Sequence, residues 1–107
     1  MEKSMQVSNP GVGMVVKSKA GRDAGRYFVV LKGADEGYVL IADGDLRKVA
    51  KPKRKKIKHL DIRMVSIPAV KAKLLAGEMP QDFEIREGLD ALGLKYKART
   101  TGYLKED

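Results

Sequence analysis

Three short runs of β-branched and aromatic residues, at positions 12–17, 27–31 and 38–42, limit what this chain can fold into more than any other feature. Each is too short for a useful helix and each is bounded by glycine, so they read as strands joined by tight connections. The segment Gly33-Ala34-Asp35-Glu36-Gly37 is of hairpin length, which makes the second and third runs antiparallel neighbours. Asp43-Gly44 is the strongest short turn signal in the chain and predicts a further strand over residues 46–50. Pro52 lacks the amide donor that a ladder needs, so residues 53–56 are expected beside an irregular, accessible edge and not inside a sheet. Residues 62–67 read as one more extended segment. Four or five short strands within about 55 residues predict a mainly β fold, a small twisted barrel over residues 11–65.

The last third is punctuated for helices. Ser66 is placed to cap a helix, Pro68 is tolerated in its first turn, and Gly77 ends it after Leu74-Leu75-Ala76. A second helix is expected from Asp82, with Ile85, Leu89 and Leu92 on one face and Gly93 as its stop. Gly88 lies inside that helix and weakens it by about 1 kcal/mol. Residues 1–10 read as a flexible tail closed by the turn cluster Asn9-Pro10-Gly11, and residues 96–107 as a polar, frayed end. The expected organisation is therefore a tail, a barrel over 11–65, and a short helical C-terminal extension over 66–107.

Charge is distributed unevenly between these parts. Residues 1–60 hold 14 Lys and Arg against 6 Asp and Glu, whereas residues 61–107 hold 8 against 8, so the net charge of +8 belongs to the first segment. With a pI near 9.8, this asymmetry is the electrostatic footprint of a nucleic-acid binder. A basic face also serves an anionic membrane or solubility alone. The chain has no cysteine, which removes disulfides and thiol chemistry and agrees with a cytosolic setting. Residues 1–7 lack the apolar core of a signal peptide, and no apolar stretch approaches the roughly 18 residues that span a bilayer. A cytoplasmic protein without a membrane partner is expected.

Candidates for catalysis are few. His59 is the only histidine; with no cysteine or second histidine to share a metal, it reads as a barrel-closing residue. Asp43 and Asp45 flank Gly44 and are placed either as an acid–base pair or as turn caps, the commoner use of aspartate there. Gly11-Val12-Gly13 lies in a short basic strand and is not a dinucleotide motif. The chain is read as non-enzymatic, with no cofactor and no metal.

Binding chemistry is better supplied. Lys17, Lys19, Arg22 and Arg26 straddle Gly21 and Gly25, where positive φ is cheap and a turn can offer amide donors beside cationic side chains. A second basic segment contains Lys51, Lys53, Arg54, Lys55, Lys56 and Lys58. Both suit phosphate oxygens. The competing readings are a hairpin whose charges are merely solvated, and a solvated tail or localisation signal. Tyr27, Phe28 and Tyr38 begin apolar strands and read as core ahead of base-stacking platforms.

The segment Gly13-Met14-Val15-Val16-Lys17-Ser18-Lys19-Ala20-Gly21-Arg22-Asp23-Ala24-Gly25-Arg26-Tyr27-Phe28-Val29-Val30 resembles a KOW motif, the RNA-binding strand-loop-strand of certain ribosomal proteins and elongation factors. Gly25 stands at the motif's hallmark glycine. Through Tyr38-Val39-Leu40-Ile41-Ala42-Asp43-Gly44 and the basic run ending His59-Leu60, the chain also resembles archaeal and eukaryotic large-subunit ribosomal proteins of the fourteen-e type, and small bacterial KOW-domain proteins. The resemblance implies an SH3-like barrel that binds ribosomal RNA. It makes Lys17, Lys19, Gly21, Arg22, Gly25, Arg26, Lys51, Lys53, Arg54, Lys55, Lys56 and Lys58 the expected RNA-binding set. RNA is then the expected partner, with ribosomal proteins a further one. The alternative is a protein-interaction adaptor that docks on a ribosomal protein or RNA polymerase through the C-terminal extension.

Overall fold

The apolar runs form the three central strands of a five-stranded antiparallel sheet. In a computed structural model that describes residues 10–94, β1 (Met14–Ser18), β2 (Tyr27–Gly33), β3 (Tyr38–Ala42), β4 (Lys53–Lys56) and β5 (Leu60–Ser66) are ordered β4-β3-β2-β1-β5. A single 3-10 turn over Ile57–His59 joins β4 to β5, and two helices follow, α1 (Pro68–Leu75) and α2 (Asp82–Ala91). The tail at 1–9 and the polar end at 96–107 lie outside the described residues. Among those described, no helix is long and apolar enough to cross a membrane.

Both faces of the central strands are covered, which explains why their sequences are nearly continuous apolar runs where a one-sided sheet would alternate. Val15, Val29, Leu31 and Ala42 point to one face and meet Ile67, Val70, Ile85 and Leu89 from the helical segment. Val16, Phe28, Val30, Val39, Ile41 and Leu60 point to the other, where the sheet curls over them and Ile57 and Ile62 pack alongside. The register agrees with this division: Val15 opposes Val29, and Val16 opposes Phe28. The sheet ends at Ser66, and the packed unit continues beyond it. The segment that follows the sheet supplies half of one core.

The sheet is not a closed barrel. Its edge strands β4 and β5 do not pair, because β4 is only four residues long and the 3-10 turn redirects the chain before a ladder can form. The expected strand over residues 46–50 is absent as well. The Asp43 carboxylate accepts the amides of Asp45 at 2.9 Å and Arg47 at 2.8 Å, winding those residues into a turn instead of an extended segment. Residues 53–56, expected outside the sheet, are its edge strand: Lys53 opposes Ile41 and Lys55 opposes Val39. Pro52 falls immediately before this strand, where its missing donor costs no ladder bond.

The helices follow their punctuation. Pro68 is the first residue of α1, but the cap position is Ile67 and no side chain caps it, so Ser66 does not have the expected role. Ile85 and Leu89 are buried on α2, whereas Leu92 follows the last helical turn and is 41% exposed. Gly88 has a packing reason: a β-carbon there would sit 2.6 Å from Ile67 Cγ2. Lys73 Nζ to Glu84 Oε1, at 2.9 Å, ties α1 to α2. The same Glu84 oxygen accepts the Gln81 amide at 2.7 Å, completing a turn at the start of α2.

Candidate nucleic-acid interface

The β1–β2 connection is a wound loop, not an extended arm. Gly21 and Gly25 adopt φ of +85° and +91°, a region that a β-carbon disfavours. The loop is closed by Ser18 N to Arg26 O at 2.9 Å and Gly25 N to Ser18 O at 2.8 Å. Its centre is Asp23. One carboxylate oxygen accepts the Ser18 hydroxyl at 2.8 Å and the Lys55 ammonium at 3.0 Å, and the same ammonium donates to Ala20 O at 2.9 Å. Lys53 Nζ lies 4.0 Å from the other oxygen. Burial pushes the Asp23 carboxyl up, but the bonds from Ser18 and Lys55 and the charges of Lys55 and Lys53 outweigh it, leaving its pKa below the ordinary carboxylate value.

These contacts join the two basic segments, which lie some thirty-five positions apart in the chain. Lys55 reaches across to Ala20, and Lys19 N donates to His59 O at 2.8 Å. The glycine loop therefore packs along β4 and the 3-10 turn, and the surface that results carries cations from both. In these two segments Lys19, Arg22, Lys51, Arg54, Lys56 and Lys58 are exposed, and Lys17 and Lys53 are half-buried.

Two of the expected contact residues have turned inward. Lys55 is 7% exposed and held by Asp23; Arg26 is 9% exposed, with Nη2 2.9 Å from Asp43 Oδ2. They fix the loop and the Asp-Gly turn, and present little charge outward. Asp43 is likewise committed, as an ion-pair partner and turn cap, and not paired with Asp45 as acid and base. His59 contributes its carbonyl to the loop contact.

Sequence reasoning missed several residues that shape this surface. Phe28 is fully buried, as core, but Tyr27 and Tyr38 are only half-buried. The Arg54 guanidinium lies 3.6 Å from the Tyr38 ring centroid and the Lys17 ammonium 5.5 Å from that of Tyr27, both cation–π distances. Arg54 also pairs with exposed Asp35 at 2.6 Å, a solvent-screened contact of small worth. Leu46 and Arg47, on the turn after Asp43, face a cleft bounded by the glycine loop. An aspartate inside each otherwise basic or apolar stretch, Asp23 and Asp43, was the available signal for inward-facing cations.

No protein-family model matches the chain, and no curated protein matches it.

Proposed function

We propose that this chain is a non-enzymatic RNA-binding protein of the translation apparatus, with structured ribosomal RNA as its ligand. The observation that carries this reading is the convergence of two distant basic segments on one surface, through Lys55 to Ala20 and Lys19 to His59. Phosphate contacts from the exposed lysines and arginines supply affinity, and the spacing of cations on a rigid, glycine-wound loop supplies selection for RNA shape. The strand order β4-β3-β2-β1-β5, with a 3-10 turn between β4 and β5, supports an SH3-like KOW module whose ladder is left open.

A second reading, an adaptor for a ribosomal protein or RNA polymerase, is favoured by one feature. Leu75, Met79 and Phe83 are 68%, 54% and 48% exposed in the helical segment, away from the charge excess. Crosslinking the protein to RNA in cells and identifying the bound fragments separates the two. Ribosomal RNA fragments support the proposal, whereas ribosome or polymerase association without crosslinked RNA supports the adaptor.

A further inference from the structure

Between the glycine loop and the Asp-Gly turn lies a cleft of about 210 Å³, lined by Arg22, Asp23, Phe28, Leu46, Arg47 and Lys53 together with the paired Arg26. It is smaller than the roughly 300–1,000 Å³ typical of sites for free small molecules, so it suits a fragment of a larger ligand. Its chemistry is mixed. Buried Phe28 lies at its base, and Leu46 stands 67% exposed at its rim, where neither helps to bind a phosphate. Arg22 and Arg47 come from different loops, are exposed, and form no ion pair among the described residues.

We propose that this cleft receives a single unstacked base of the bound RNA; the inference rests on the RNA-binding reading and names the part of the ligand that the cleft takes. An unstacked base presents a flat π-face to Leu46 and carries its own phosphate to the rim. Guanidinium planes stack on bases and also bridge to phosphate oxygens, and both roles are open to Arg22 and Arg47. The rim is preorganised: Asp43 holds the Arg47 amide at 2.8 Å, and Asp23 anchors the turn that carries Arg22. The lysines outside the cleft, Lys19, Lys56 and Lys58, are exposed and available to duplex phosphates. The base is taken from a bulge or loop beside that duplex, since a paired base in an A-form helix is out of reach.

The test uses two hairpin RNAs with the same stem and loop, one carrying a single bulged 2-aminopurine, titrated against the full chain. The bulge is expected to tighten binding by about tenfold, within the worth of one stacked base, and to change 2-aminopurine fluorescence. Leu46→Asn and Arg47→Gln, both at exposed positions and checked for unchanged thermal unfolding, should erase that increment and leave stem binding. Lys58→Gln should weaken both RNAs alike and keep the increment. Equal binding of the two hairpins by the unmodified chain, or an increment that survives Leu46→Asn, overturns the cleft assignment and leaves the RNA-binding reading standing. Binding of neither hairpin overturns both.

Discussion

Replacing Lys55 by Met tests whether this lysine holds the fold or contacts RNA. Its ammonium sits 3.0 Å from Asp23 Oδ1 and 2.9 Å from Ala20 O, on a side chain only 8% exposed. Met preserves the stem but leaves Asp23, itself 14% exposed, with the Ser18 hydroxyl as its remaining close donor and Lys53 at 4.0 Å. Removing one partner of a buried pair costs about 3–5 kcal/mol. The lower figure is appropriate here, because Ser18 and Lys53 remain, and for a domain of this size about 3 kcal/mol lowers Tm by roughly 12 °C or more. The penalty depends on pH with a definite sign. Asp23 titrates below its unfolded value in the native chain, so its contribution is full above about pH 4 and is lost as the pH falls through the folded pKa. Without Lys55 the carboxyl keeps its burial and loses its main cation, so its pKa rises. The stability gap between variant and parent should therefore narrow as the pH falls through the variant's raised pKa toward the parent's lower one. Urea unfolding of Lys55→Met, Asp23→Asn and the double variant, at neutral and acidic pH, measures both effects. A neutral-pH loss under about 0.5 kcal/mol, the level of an ordinary surface substitution, would refute the argument. So would additivity of the two substitutions, because contacting residues couple by roughly 0.5–3 kcal/mol.

Four further outcomes are expected. Gly25→Val strains a φ of +91° with no atom within 4 Å of the new β-carbon, so it should cost about 1–2 kcal/mol from backbone alone and weaken RNA binding, as compared with Ala24→Val in denaturant and RNA titrations. Gly44→Ala should cost more, because φ is +76° and the β-carbon would collide with the Asp82 carbonyl; thermal unfolding ranks the two sites. A fragment ending at Val65 should fail to fold, since it strips Ile67, Val70, Ile85 and Leu89 from one sheet face, and a cooperative unfolding transition for it would contradict the shared core. If about six phosphates are contacted, RNA affinity should fall about a thousandfold or more between 50 and 200 mM salt, and changing Lys19, Arg22, Lys56 and Lys58 to Gln should flatten that slope without altering unfolding.

The central strands were legible because burial on both faces leaves β-branched runs that no helix of five residues could use. Gly25 was legible for a local reason, a connection that had to reverse within a few residues. Other features depended on distant partners. Residues 46–50 carried a strand-like position after Asp-Gly, yet Asp43 gathers their amides into a turn, and nothing in the local pattern states which amides a carboxylate will take. Lys55 reads like its neighbours in a basic run, and only the strand's alternation, with Asp23 waiting on the far loop, turns it inward. Gly88 looked like a weak point in a helix because its reason, the Ile67 side chain, lies 21 positions away. The cleft was invisible in the same way: Arg22 and Arg47 share a wall only after both loops are wound.

The Asp-Gly turn is clasped from far along the chain: Arg86 Nη1 donates to Gly44 O at 2.7 Å, and the Val49 amide donates to Asp82 Oδ1 at 2.7 Å. These are the long-separation contacts whose loop-closure entropy is met late in folding. As the chain emerges in synthesis, β1, β2 and β3 can pair through short hairpins and Asp43 can wind its own turn, but the clasp on Gly44 and Val49 closes only when α2 is made and docked. The turn that carries the proposed rim thus gains its last two anchors from the neutral helical segment, so the cleft is expected to reach its full rigidity only after that segment has docked.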